Sequence, residues 1–143
     1  MPSIIERGFG PGDAAGAVLI AVVFISLGSL IREPARRRYM AVFVGGAGAA
    51  YLNGGLGLFE FPFIGLMSYV AYRGLEDYRF IGAAWLLHTC WDVVHHLWGQ
   101  PIVAFDPSSS AGCALTDSLL AVWFFLGAPS VVERVFRRPA AAG

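Results

Sequence analysis

Residues 84–98, AWLLHTCWDVVHHLW, constrain this chain more than any other stretch. They read as an apolar helix long enough to enter a bilayer, yet they hold all three histidines of the protein and one aspartate. Ionisable groups inside such a helix are expensive to bury, and by default they mark a functional site. On a helical wheel His88, Asp92, His95 and His96 share an arc of about 100°, while Leu87, Trp91, Val94 and Trp98 occupy the other side. One face suits chemistry and the other suits lipid or packing.

The remainder of the chain fits a membrane setting. Of its 143 residues, 57% are hydrophobic, and the mean hydropathy of +0.63 exceeds that of ordinary soluble domains. Ten acidic residues balance ten arginines, so no global field directs the chain to nucleic acid. Cys90 and Cys113 are too few for a disulfide framework and read as small apolar side chains. The segment holding Glu6, Arg7 and Asp13 lacks the positive region of a cleavable signal, so the first helix is expected to remain as an anchor.

Five transmembrane helices are expected, over about 14–31, 39–59, 61–73, 80–98 and 113–132, as one all-α polytopic domain. Arg32, Arg36, Arg37 and Arg38 crowd the first loop, and three more arginines close the chain. Positive short segments stay on the cytoplasmic side, so the amino terminus is placed outside and the carboxyl terminus in the cytoplasm, which five spans satisfy and four would not. The second helix stacks small residues four apart, with Gly46, Ala50 and Gly54 in one row, a pattern that lets helices approach and suits a homo-oligomer interface. The run 61–73 is short for a span, and Arg73 is read as snorkelling to the cytoplasmic surface. Residues 100–112, QPIVAFDPSSSAG, form an outer loop.

This topology draws Asn53, Glu60 and Asp117 to the same outer half of the membrane as the histidine face. Imidazole and carboxylate are the ligands of Zn²⁺ and of non-haem iron. Asp92, His95 and His96 are the expected metal ligands. His88 lies about 12 Å along the helix from His96, too far to share one ion comfortably. It is assigned a separate deeper role, with Glu60 and Asp117 as acid–base candidates. Hydrogen bonding across the bundle is the bland reading of the same groups. Trp85, Trp91, Trp98 and Trp123 read as packing and interfacial anchors, and Tyr51 and Tyr69 fit either role. No P-loop, dinucleotide fingerprint or CxxC is present, and the serines at 108–110 lack a nucleophile elbow.

The chain resembles the bacterial membrane proteins grouped as domain-of-unknown-function family 6010. The resemblance rests on EPARRR (33–38), AAYLNGGLG (49–57), AWLLHTCWDVVHH (84–96), PIVAFDPSSSAGC (101–113) and WFFLGAPS (123–130). It implies a small multi-spanning membrane protein and carries no established activity. A looser likeness is to membrane di-iron desaturases, but three histidines stand where that group uses many more. A likeness in style to intramembrane zinc hydrolases is analogy alone.

The leading expectation is therefore a protein of the bacterial inner membrane with an outward-facing site that binds a divalent metal, Zn or Fe. The chemistry expected of it is hydrolysis or oxidoreduction of a lipid or small amphipathic substrate. The alternatives are a transporter or cation- and proton-binding module, and a structural subunit without catalysis.

Overall fold

The computed structural model describes residues 8–52 and 55–136, without the side chains of residues 134–136. Every regular element among them is helical. In chain order these are α1 (Pro11–Gly28), α2 (Ala35–Ala47), α3 (Glu60–Gly74), α4 (Tyr78–Trp98), α5 (Ser109–Phe125) and α6 (Val131–Phe136), with a 3-10 turn at Gly57–Phe59 leading into α3.

α4 is the axis of the bundle, touching α2, α3 and α5, while α1 lies against α5. Its first turn is closed by Asp77, whose carboxylate accepts from the Arg79 N–H at 2.9 Å, satisfying one of the donors that a helix start leaves orphaned. Ile81, Ala84 and Trp85 of α4 meet Met40 and Val44 of α2, Phe63 and Met67 of α3, and Leu120 and Phe124 of α5 in one core. At Gly82 the crossing with α5 is tight, since a Cβ there would stand 3.1 Å from the Ala121 carbonyl oxygen. Two backbones this close gain dispersion contacts that a larger residue would prevent.

α1 is the one described helix that is both long and apolar enough to cross a membrane by itself, and α5 is a shorter apolar helix. Large hydrophobic side chains are exposed on each of the five longer helices, among them Leu19 and Leu27, Val42, Phe61, Leu86 and Val122.

Two helices stop earlier than expected. α2 ends at Ala47 rather than near residue 59, because the glycine-dense run that follows weakens helix propagation by about 1 kcal/mol per glycine. The chain continues there in tight turns, with Ala49, Ala50 and Leu52 each donating to the carbonyl three residues back. Gly45 and Gly48 of this region pack on α3, where added Cβ atoms would stand 3.2 Å from Ala71 and 2.8 Å from Met67. α5 ends at Phe125 rather than near 132. Gly127, at φ +81°, turns the chain so that its N–H bonds Phe124 and the Ala128 N–H bonds Trp123, the paired bonds of a Schellman cap.

The end of the bundle that carries Arg36 and Arg37 is clasped by polar contacts. Glu33 accepts from Tyr78 Oη and from Arg36 Nε, and Arg37 Nε donates to the Leu75 carbonyl at 3.1 Å. Burial works against the Glu33 charge, but the bonds from Tyr78 and Arg36 outweigh it and hold the carboxyl below its ordinary value. Burial first, and then the bond to Glu33, push the Tyr78 phenol up to about 12.

Candidate functional site

The polar face of α4 meets α5 and the turn after α2 in a buried cluster. His88, Asp92, His95 and His96 are each no more than 3% exposed. His88 Nε2 lies 2.9 Å from the Ala47 carbonyl oxygen. That carbonyl, at the end of α2, also accepts from the Ala50 N–H at 3.0 Å, and a carbonyl oxygen only accepts, so Nε2 carries a hydrogen. His88 Nδ1 then lies between two carboxylates, 2.7 Å from Asp117 Oδ2 and 3.3 Å from Asp92 Oδ2. It either bears a second proton shared with them or presents its lone pair to a cation.

His88, Asp92 and Asp117 each offer an atom within 4.8 Å of the others, so the group can hold a metal ion. Ligand atoms at about 2.0 Å from a tetrahedral Zn²⁺ stand roughly 3.3 Å apart, close to these separations. The tie from Nε2 to a backbone carbonyl is the support that metal-bound histidines ordinarily have. A divalent ion with neutral His88 and two carboxylates is also electrically neutral, which suits an apolar surrounding.

Asp92 has a second tie. Its Oδ1 accepts from Tyr51 Oη at 2.7 Å; Tyr51 Oη in turn lies 2.9 Å from Ser110 Oγ, which accepts from the Ile102 N–H at 3.2 Å. With one proton per hydroxyl, Ser110 donates to Tyr51 and Tyr51 donates to Asp92, so the chain of bonds has a single direction. All three side chains are buried.

Glu60 and His95 form a separate pair beside this group. Glu60 opens α3, in the first turn where a carboxylate is favoured by the helix dipole. Its Oε1 lies 3.0 Å from His95 Nε2 and accepts from the Leu56 N–H, and its Oε2 accepts from Trp91 Nε1 at 3.0 Å. Tyr51 stacks on the His95 ring, and Gly55 and Gly99 leave room for it. His96 lies elsewhere, on the wall of a cavity of about 250 Å³ that also includes Thr89, Val93 and Ser118.

The grouping thus differs from the one drawn from spacing. Asp92 faces His88 rather than His95 or His96, because side chains on a helix lean toward its amino terminus and carry the Asp92 carboxylate down to position 88. Asn53, expected on the wall of the same funnel, lies outside the described residues. Tyr51, left open by the sequence, Ser110, one of the serines without a nucleophile elbow, and Trp91, read as packing, join the site. A wheel assigns Trp91 to the packing side, and its indole ring does stack on Phe63, yet its edge N–H reaches Glu60.

A model of the family of unknown function DUF6010 matches residues 12–130. The chain belongs to that family. The DUF6010 match spans all the residues of the triad, of the Glu60–His95 pair and of the Tyr51–Ser110 chain, and it stops before α6. No curated protein and no solved structure matches the chain.

Proposed function

We propose that this DUF6010 protein is a five-span protein of the bacterial inner membrane whose His88–Asp92–Asp117 group holds Zn²⁺ or Fe²⁺ and hydrolyses a membrane amphiphile. Exposed hydrophobic side chains on all five longer helices support the membrane reading. So does the gathering of Arg36, Arg37 and the Glu33 clasp at one end of the bundle, which becomes the cytoplasmic face. Helices such as α2 are shorter than a full bilayer, and local thinning accommodates them.

One observation carries the metal assignment: His88 Nε2 is committed to a carbonyl, so Nδ1 is left between two carboxylates from different helices. A metal held by His88, Asp92 and Asp117 would supply Lewis acidity and activate water towards an ester carbonyl. The Asp117 carboxylate would accept the proton that the attacking water gives up and would return it to the departing alkoxide, leaving an acid and an alcohol. Glu60 has both oxygens engaged and serves to hold His95 and the Trp91 edge in place.

The test is hydrolysis of a long-chain nitrophenyl ester by the purified protein in phosphatidylcholine nanodiscs. Turnover is expected to vanish on chelation, return with Zn²⁺ or Fe²⁺, and fail in Asp117→Asn. Turnover that survives chelation, or no turnover with either metal, overturns the proposal.

A second reading rests on the directional chain from Ser110 through Tyr51 and Asp92 to His88, which is a route for protons. It expects pH-driven flux in proteoliposomes without hydrolysis.

A further inference from the structure

A cavity of about 540 Å³ runs lengthwise between α1 and α5, with Asp117 in its wall. This is within the size range of small-molecule sites. Three glycines line it, Gly12 and Gly16 on α1 and Gly112 on α5, and a Cβ at any of them would meet nothing within 4 Å. These glycines therefore do not serve close helix packing, although Gly16, inside α1, weakens its helix by about 0.5–1 kcal/mol. What they do is keep the slot open.

The lining is graded. Asp13, Asp106 and Ser109 stand towards the start of α1 and α5, and Ile20, Phe24 and Leu120 lie further along them. Thr116 Oγ1 donates to the Ala17 carbonyl at 3.0 Å, which sets α1 and α5 side by side in parallel. By that register Asp13 lies about 8 Å above Asp117 along the helix direction. Among the described residues no arginine lines the slot, so an anionic head would meet the carboxylates of Asp13, Asp106 and Asp117 with no cation to offset them.

Trp85 adds an independent sign of a ligand. It lines the same slot and is 4% exposed, yet its indole N–H finds no acceptor in the protein. A buried donor without a partner is costly, and a bound oxygen removes the cost.

We infer that the slot binds a single-chain acyl amphiphile with an uncharged polyol head, its carbonyl oxygen accepting from Trp85 and its chain lying along Phe24 and Leu120. Its identification as the substrate rests on the hydrolase reading, because Asp117 belongs to both the slot and the triad; its binding does not. The head occupies the polar stretch above Asp117, and the ester lies at the depth of the triad.

The experiment is binding of tritiated monopalmitoylglycerol to the protein in phosphatidylcholine nanodiscs, with EDTA present throughout so that a failure of the metal reading cannot affect it. Saturable binding is expected, with hexadecanoate competing at least about tenfold more weakly and the ether analogue, which lacks the carbonyl, about fivefold more weakly. Trp85→Phe should bind ester and ether alike, and Gly16→Leu, whose side chain fills the slot, should lose binding while keeping its helical circular dichroism. Hexadecanoate competing as well as the ester, or Gly16→Leu binding like the unmodified protein, overturns the inference.

Discussion

Tyr51 lies flat on His95, with ring centroids 3.5 Å apart and planes 11° from parallel, and from there its hydroxyl reaches Asp92. One side chain thereby joins the Glu60–His95 pair to the triad. Tyr51→Phe keeps the stacking and deletes the donor, leaving a buried carboxylate oxygen short of a partner. It should destabilise the protein by about 1–3 kcal/mol and weaken metal binding by roughly 10–100-fold. Thermal unfolding in detergent and metal titration check this, and unchanged values for both would show that the hydroxyl is idle.

Glu60→Gln separates the two clusters. Glu60 Oε1 accepts from the Leu56 N–H and Oε2 from the Trp91 indole N–H, so an amide NH₂ on either side must face one of these donors. Stability should fall by about 1–3 kcal/mol, while metal content stays that of the unmodified protein because Glu60 touches none of the triad. Loss of the metal in this variant would place Glu60 among the ligands.

Glycine substitutions should split into two classes. A Cβ on Gly55 would stand 2.3 Å from His95 Cε1, whereas one on Gly16 meets nothing within 4 Å. Gly55→Ala should therefore cost about 1–3 kcal/mol by pushing the histidine ring aside, and Gly16→Ala, inside α1, should stabilise by about 0.5–1 kcal/mol. Denaturant or thermal unfolding of the two variants reads the opposite signs.

Sequence periodicity reached part of this arrangement. An all-helical chain followed from its apolar runs, and the i, i+4 spacing put His88 and Asp92 on one face, where the structure has them 3.3 Å apart. Asp117 could be placed near them because its helix enters from the same side. The partition of the cluster was hidden, because a wheel records angle and not the lean of a side chain along the axis. Tyr51 stayed open for another reason. It acts from a turn, and α2 ends early at Ala47, whose carbonyl His88 shares with the Ala50 N–H. Trp91 packs as its position on the wheel suggests, with its face on Phe63, and its edge N–H also bonds Glu60.

The clasp of Glu33 and Tyr78 gives a pH dependence at both extremes. Glu33 lies below its ordinary value of 4.5 when folded, so its contribution is present above that pH and is lost as pH falls through the folded value. The Tyr78 phenol lies at about 12 against an ordinary 10.0, so its contribution is complete below pH 10 and is lost as pH rises through 12. Tyr78→Phe should flatten both declines in unfolding midpoints measured across pH, and parallel curves would remove the clasp as their cause.

Elemental analysis tests the central claim most directly. The unmodified protein, purified without chelator from cells supplied with zinc and iron, should carry about one equivalent of Zn or Fe per chain. Asp92→Asn and Asp117→Asn should carry almost none, and His95→Ala should keep it. A metal-free unmodified protein, or a metal lost with His95 but kept without Asp117, would contradict a site built on His88, Asp92 and Asp117.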